Sequence, residues 1–427
     1  MLAASAAAQN VVAQKAPDSV TPSSYINGFL PRWLRFAGEH RTRLEGYRGL
    51  GYAPGQNDAY VVNRTRLSLD IRPTPWVHFF GELQDARATA KRPGQPPPEN
   101  LWDLHQAFAE FGSYDKSRYW LRAGRQEITI ADSRIMGAVQ WANANRRFDA
   151  VRAAARFGSN RVELFAASVV VNASDTWDHR QAGNNIHGIY SEFPKLVSWM
   201  NIQPYATWRT QPNVRNEAGR IADVNEITPG IRLAGKLPHS LDYVVEMTRE
   251  TGSVGSDRIK AWMGHWEVGQ THKNWRFTPR LWAEYNYHSG DSNPTDGIRG
   301  TYDPLYAALH AKFGFADQVA GRNLQDIRGG IEAKLPHGIG AVVEFNDWRL
   351  ASRYDALYSA TGAVARSPTG TAGTHVGNEV DFITTWKLKG PLQGGAGVGY
   401  IIPGEFLKKT TPGKPYLFPF VWLTYKL

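Results

Sequence analysis

The sequence contains no cysteine, which removes disulfides, thiolate metal ligands and thiol nucleophiles together. It also lacks any apolar run near the roughly 18 residues that a membrane-spanning helix needs, and its mean hydropathy is −0.43. Helical insertion into a bilayer is therefore excluded. A transmembrane barrel is not, because only every second residue of a barrel strand must be apolar and window averages cancel that signal. Gly-x-Ser-x-Gly, His-Glu-x-x-His and P-loop motifs are absent as well, so no catalysis is expected. No cofactor and no metal are expected either. Gly394-Gly-Ala-Gly-Val-Gly399 lacks dinucleotide spacing and a following helix; it reads as a strand with close backbone packing or a bend. Asp291-Ser-Asn-Pro-Thr-Asp-Gly297 has one residue too many for a calcium loop and no distal bidentate Glu, and reads as an Asx-rich turn.

What is present is a rhythm. Segments of roughly ten residues with alternating character are joined by connectors that are short, then long, in turn. The short ones fall at Pro73-Trp76, Gly112-Ser117, Gly158-Asn160, Pro194-Ser198, Lys236-Ser240, Gly269-Asn274, Leu335-Gly338 and Lys387-Pro391. Longer polar connectors lie between them, among them Arg48-Asp58, Arg87-Asn100, Asn172-Asn184 and Gly290-Asn323. Laid end to end, the segments predict an all-β fold, an antiparallel up-and-down transmembrane barrel of about 18 strands. The 15 Trp, 18 Tyr and 18 Phe suit aromatic girdles at two membrane interfaces.

Successive strand side chains face opposite ways, and the segments sort accordingly. Leu34, Phe36 and Leu44 fall on one face of Leu34-Glu45, while Arg35, Glu39, Arg41, Arg43 and Glu45 fall on the other. Val61-Arg72 repeats this with Leu67, Leu69 and Ile71 against Arg64, Arg66, Asp70 and Arg72. Val151 and Ala153 oppose Arg152, Tyr285 and Tyr287 oppose Arg280, Glu284 and His288, and Ile327 opposes Arg328. The formal charge of +10 is thus spread over alternate strand positions. That describes a wall, and no nucleic-acid partner is expected from it. The chain ends on a strand, Tyr416-Leu427, with Leu423, Tyr425 and Leu427 on one face, which suits a barrel that closes by pairing its first and last strands. Residues 1–8 read as the tail of a secretory signal, residues 9–31 as a flexible periplasmic segment, and residues 32–427 as the barrel.

Several motifs recur in an order that resembles the alginate-export family of bacterial outer-membrane barrels. They include Asn63-Arg-Thr-Arg-Leu67, Trp102-Asp-Leu-His-Gln-Ala-Phe108, Gly124-Arg-Gln-Glu127 and Arg146-Arg-Phe-Asp-Ala-Val-Arg152. In the second half they continue with Tyr287-His-Ser-Gly-Asp291, Tyr302-Asp-Pro-Leu-Tyr306, Trp348-Arg-Leu-Ala-Ser352, His375-Val-Gly-Asn-Glu379 and Pro403-Gly-Glu-Phe-Leu407. The resemblance implies a monomeric barrel in bacterial outer-membrane lipid and lipopolysaccharide. It also implies a charged constriction for the alginate-like export of an anionic saccharide or polysaccharide, with a periplasmic scaffold or export partner as a candidate partner. A general anion-selective or nutrient-uptake porin, or a structural barrel anchoring a partner, are the alternatives.

An anionic saccharide needs positive charge along its path, and Arg supplies a permanently ionised planar fork. The expected path is lined by Arg41, Arg43, Arg64, Arg66, Asp70, Arg122, Arg125, Arg152, Arg156, Arg280, Glu284, His288, Arg328 and Glu344. Arg125 is out of keeping with the outward Leu121 and Ala123; either a bulge turns it inward, which is expected, or it lies at the membrane rim. With an even strand count, both termini are expected on the short-turn side, the periplasmic one in this class. The connectors Thr129-Arg146, Gly290-Asn323 and Leu350-Gly377 are then the candidates to gate or plug the pore.

Overall fold

The computed structural model describes residues 21–90, 99–173, 176–388 and 390–427. The expected signal tail and residues 9–20 of the expected flexible segment lie outside the described residues. Among the described residues, eighteen antiparallel strands close into one barrel; a two-residue strand, Ile298–Arg299, joins the same sheet parallel to Arg258–Ile259, and Leu357–Tyr358 pairs with Val364–Arg366 apart from it. The first nine are β1 Leu34–Arg48, β2 Asn57–Thr74, β3 Val77–Thr89, β4 Asn100–Phe111, β5 Tyr119–Gln126, β6 Phe148–Phe157, β7 Asn160–Val171, β8 His179–Val197 and β9 Met200–Arg215. They are followed by β10 Ile221–Leu237, β11 Leu241–Val254, β12 Asp257–Thr271, β13 Arg280–His288, β14 Leu324–Leu335, β15 Ile339–Leu350, β16 His375–Lys387, β17 Leu392–Pro403 and β18 Tyr416–Lys426. Each pairs with its sequence neighbours, and β18 closes on β1 with Glu39 opposite Lys426 and Arg48 opposite Leu417. Closure leaves no unpaired sheet edge along the shared length, which a bilayer would penalise heavily.

Alternation decides which side chains meet lipid. Along β1, Arg41, Arg43 and Glu45 are buried while Leu44 is 47% exposed. Outward positions elsewhere are apolar and open, among them Leu69, Val151, Leu164, Ile327, Val343 and Phe382. Exposed apolar side chains repeated on the outward face of strand after strand make a lipid-facing surface. The Gly394–Gly399 stretch lies in β17, where a Cβ at Gly395 or Gly397 would meet the inward rings of Trp422 and Phe420.

All eight expected short connectors coincide with hairpins at one end of the barrel. Two of them use the same device: Pro238–Ser240 and Pro336–Gly338 start with Pro and place His239 and His337 at φ 60°. At the opposite end the connections are less uniform than expected. Residues 216–220 and 255–256 form tight turns there, the latter through Gly255 at φ 60°. The long excursions concentrate in 127–147, 289–323 and 351–374.

Part of the segment expected to be flexible is helical. Helix α1, Pro22–Phe29, carries a capping box in which Thr21 and Ser24 bond each other's backbone N–H, with Pro at the first position. Those local signals outweigh the polar composition of the segment. A second helix, α2 Glu405–Thr410, precedes β18 and buries Phe406 and Leu407.

The barrel interior is not an open tube at its long-loop end. Ile128, Ile130, Ile135 and Met136 pack with Phe148, Tyr302 and Tyr306 in one apolar cluster. Phe313, Phe315 and Val319 pack with Trp348, Val376, Phe418 and Phe420 in another. Residues 127–147 and 289–323 therefore fold back into the lumen and are held there by burial of apolar area.

Candidate pore constriction

The two inward loops meet across the lumen through their backbones. Tyr306 N–H donates to Ile135 C=O at 3.1 Å, Gly137 N–H to Tyr306 C=O at 3.0 Å, and Ala308 N–H to Ser133 C=O at 2.9 Å. Arg146 adds two bonds from its guanidinium, to Tyr306 C=O at 2.5 Å and Ala307 C=O at 2.9 Å. The result is a crossbar built from residues 127–147 on one side and 303–308 on the other.

The arginines of β1 and β2 hold the first loop. Arg41 donates to the carbonyls of Gln140, Trp141 and Ala142 at 2.8, 3.1 and 3.3 Å. Arg43 donates to Trp141 C=O at 2.6 Å, pairs with Glu45 and lies 3.9 Å from the Trp141 ring centroid. Arg64 reaches Gln140 C=O, Asn145 Oδ1 and Glu39. Arg66 bonds Gln84 and Glu127. Trp141 in turn stacks on His310 of the second loop, with centroids 4.4 Å apart. These four arginines thus converge on one loop, and most of what they grip is backbone carbonyl.

A charged belt continues around the lumen from the second loop. Arg328 of β14 donates to Lys312 C=O and Glu344 at 2.8 Å each, and lies 3.5 Å from Glu284. Arg134 bonds Glu284 at 2.9 Å and Asp132 at 3.2 Å. Lys312 and Arg232 approach Asp132 at 3.9 Å each. Burial alone would raise the Asp132 carboxyl, but Lys312, Arg134 and Arg232 hold it well below the usual carboxylate range. Glu127 is likewise raised by burial and lowered more strongly by the His105 hydrogen bond and Arg66, to about 2. Burial lowers the Lys312 amine, with Asp132 opposing. Burial also lowers the Arg146 guanidinium, which still stays ionised as guanidinium does.

The remaining expected residues sit lower in the barrel or elsewhere. Arg122 pairs with Glu110, and Arg152 with Glu163 at 2.6 Å, toward the short-turn end. Arg156 donates to Tyr114 C=O at 3.2 Å. Asp70 pairs with Arg72 and His78 near the same mouth. Arg280 is shared by Asp242, Glu267 and Glu332. His288 packs against Tyr302 and Phe313 of the second loop. A cavity of about 570 Å³ opens beside the seam at the short-turn end, lined in part by Glu39, Arg66, Glu82, Lys387, Gln393 and Lys426.

Arg125 requires a correction. In the β5–β6 register Leu121 faces Ala153, Ala123 faces Val151 and Arg125 faces Asp149. Val151 is 51% exposed, so Arg125 shares the outward phase. No bulge interrupts β5 before it, and the side chain pairs with Asp149 at 2.8 Å at the long-loop rim. Asp291-Gly297 forms turns in which Asp291 and Asp296 side chains accept from Asn293 and Ile298 N–H. Sequence reasoning missed Glu127, Asp132, Arg134, Arg146 and Lys312 as lumen groups. All five lie in loops, where period-two alternation carries no information; the nearest signal was the unusual length of the connectors that contain them.

The sequence profile of the alginate export family matches residues 32–415. No curated protein matches the sequence. Among solved structures, the Pseudomonas aeruginosa outer-membrane protein OpdK superposes with a TM-score of 0.63 at 9% identity, over 92% of this chain and 98% of that one. P. aeruginosa OpdL gives 0.61 at 10% identity, over 92% and 98%. Acinetobacter baumannii OccAB4 gives 0.57 at 9%, over 91% and 98%. At such identities the likeness concerns the fold.

Proposed function

From the premise that this chain belongs to the alginate export family of outer-membrane barrels, we propose that it is a channel for anionic saccharides or polysaccharides, with both termini periplasmic and no catalytic role. The observation that carries this reading is the way Arg41 and Arg146 are satisfied. Among the described residues, the hydrogen bonds of each go to backbone carbonyls. A carbonyl completes the hydrogen bonds of a guanidinium without cancelling its charge, so positive potential persists at the crossbar. In a low-dielectric, narrow lumen that potential acts on a passing carboxylate with little screening. The carboxylates elsewhere keep the path from becoming a single deep anion trap.

A second reading, uptake of small anionic solutes, is supported by the crossbar itself. Backbone hydrogen bonds joining the two loops favour a fixed constriction over a wide polymer conduit. Planar-bilayer recordings separate the possibilities. A reversal potential with anion preference is expected; cation preference would sink the reading, and absence of conductance would favour a structural barrel. Uronate oligomers of increasing length should block current in a length-dependent way if polymer is the cargo. Block that stops growing beyond one or two sugars would favour uptake.

A further inference from the structure

The seam between β1 and β18 is shorter than β1. Pairing runs from Arg48–Leu417 to Glu39–Lys426, and the final bond is Leu427 N–H to Gly38 C=O at 2.8 Å. β1 extends four residues further, Leu34 to Ala37, paired with β2 on its other side. Because Gly38 turns its carbonyl toward β18, Phe36 turns both its N–H and C=O toward the same vacant strip. An unpaired strand edge there would break the closure that makes a barrel tolerable in lipid.

Helix α1 fills the strip. The Asn27 side chain accepts from Phe36 N–H through Oδ1 at 2.8 Å and donates to Phe36 C=O through Nδ2 at 2.8 Å. One amide side chain therefore supplies what a paired strand residue would. Ser23, one turn earlier on the same helix face, donates to the terminal Leu427 C=O. Leu34 N–H is taken by Pro31 C=O at 3.0 Å.

The opposite face of α1 is apolar and open. Tyr25 and Phe29, also one turn apart, are 64% and 75% exposed and contact each other edge to face. Ile26 lies beside them, and no residue of Pro22–Phe29 is charged. At the same end of the barrel, exposed aromatics ring the short turns: Trp33, Trp76, Tyr119, Trp199 and Trp275. Such a ring marks the headgroup level, and Tyr25 and Phe29 continue it across the seam. We propose that α1 is an interfacial seam helix, closing the barrel wall with Ser23 and Asn27 while Tyr25 and Phe29 lie in the lipid leaflet at the short-turn end.

The absence of native cysteine permits a direct test on the full chain in phospholipid vesicles. Phe29→Cys labelled with a polarity-sensitive fluorophore should be quenched by brominated acyl chains and shielded from aqueous iodide. The reverse pattern would overturn the lipid assignment, and so would shielding from both quenchers, which marks a protein partner or a second copy. Independently, Asn27→Ala should speed hydrogen exchange at the Phe36 amide by about tenfold while amides in the centre of β1 stay protected. An unchanged Phe36 amide would overturn the seam role, and the labelling experiment stands even if that variant folds poorly.

Discussion

Arg41 of β1 and the arginines of β5 and β6 look alike in sequence, yet they are held by different partners. Arg122 and Arg152 face Glu110 and Glu163 across neighbouring strands. Their charges are matched locally, and they serve the wall. Arg41 is held by backbone carbonyls of a loop whose carboxylates, Glu127 and Asp132, pair with other cations, and Arg146 is held by carbonyls from the loop side. Satisfying a hydrogen bond and neutralising a charge are separate physical acts.

The strongest way to break this comparison is to invert both carbonyl-bound arginines. Arg41→Glu with Arg146→Glu should turn anion preference into cation preference in a salt-gradient reversal potential. The same pair of substitutions at Arg122 and Arg152 should alter selectivity far less. Equal shifts would show that local pairing is irrelevant to the field.

Next in size is a stability effect. Glu163→Gln leaves Arg152 ionised and buried beside a neutral partner, a change that costs about 3 kcal/mol when a buried pair is broken. The heat-induced unfolding midpoint should fall, and anion preference should rise modestly as an unmatched charge appears. A smaller effect is expected for Arg146→Ala, which removes two bonds to the second loop. Open-channel current noise should increase as the crossbar loosens, with single-channel conductance changed less than noise.

The smallest expected effect is with pH. Glu127 is held down to about 2, and Asp132 lower still, in the folded barrel. A depressed carboxylate contributes stability that is present above its unfolded value, near 4, and is lost as pH falls through the folded value. The loops should therefore hold at neutral pH and loosen progressively below about pH 4. Noise recorded between pH 7 and pH 3 checks this, and a rise toward alkaline pH would contradict it.

Much of the wall was legible from residues alone. Arg64, Arg66 and Glu284 are inward because a strand has period two, and one apolar partner such as Leu67 or Tyr285 fixes the phase. Arg125 was misread for the converse reason: it obeys the alternation, and a charge on the outward face is tolerated at the rim because Asp149 meets it. Helix α1 was missed because a capping box within a short polar segment is a weak signal beside its composition.

The sequence by itself determined the strand count, the register of inside and outside, and the end at which the turns are short. These follow from local geometry repeated along the chain. Tertiary structure alone decided which arginines are held by backbone carbonyls and which by carboxylates. That depends on where residues 127–147 and 289–323 come to rest, and loops carry no periodicity from which their destination could be read. Burial of Ile135, Met136, Phe313 and Phe315 inside the barrel draws them in, and the carbonyl contacts of Arg41 and Arg146 follow from that packing.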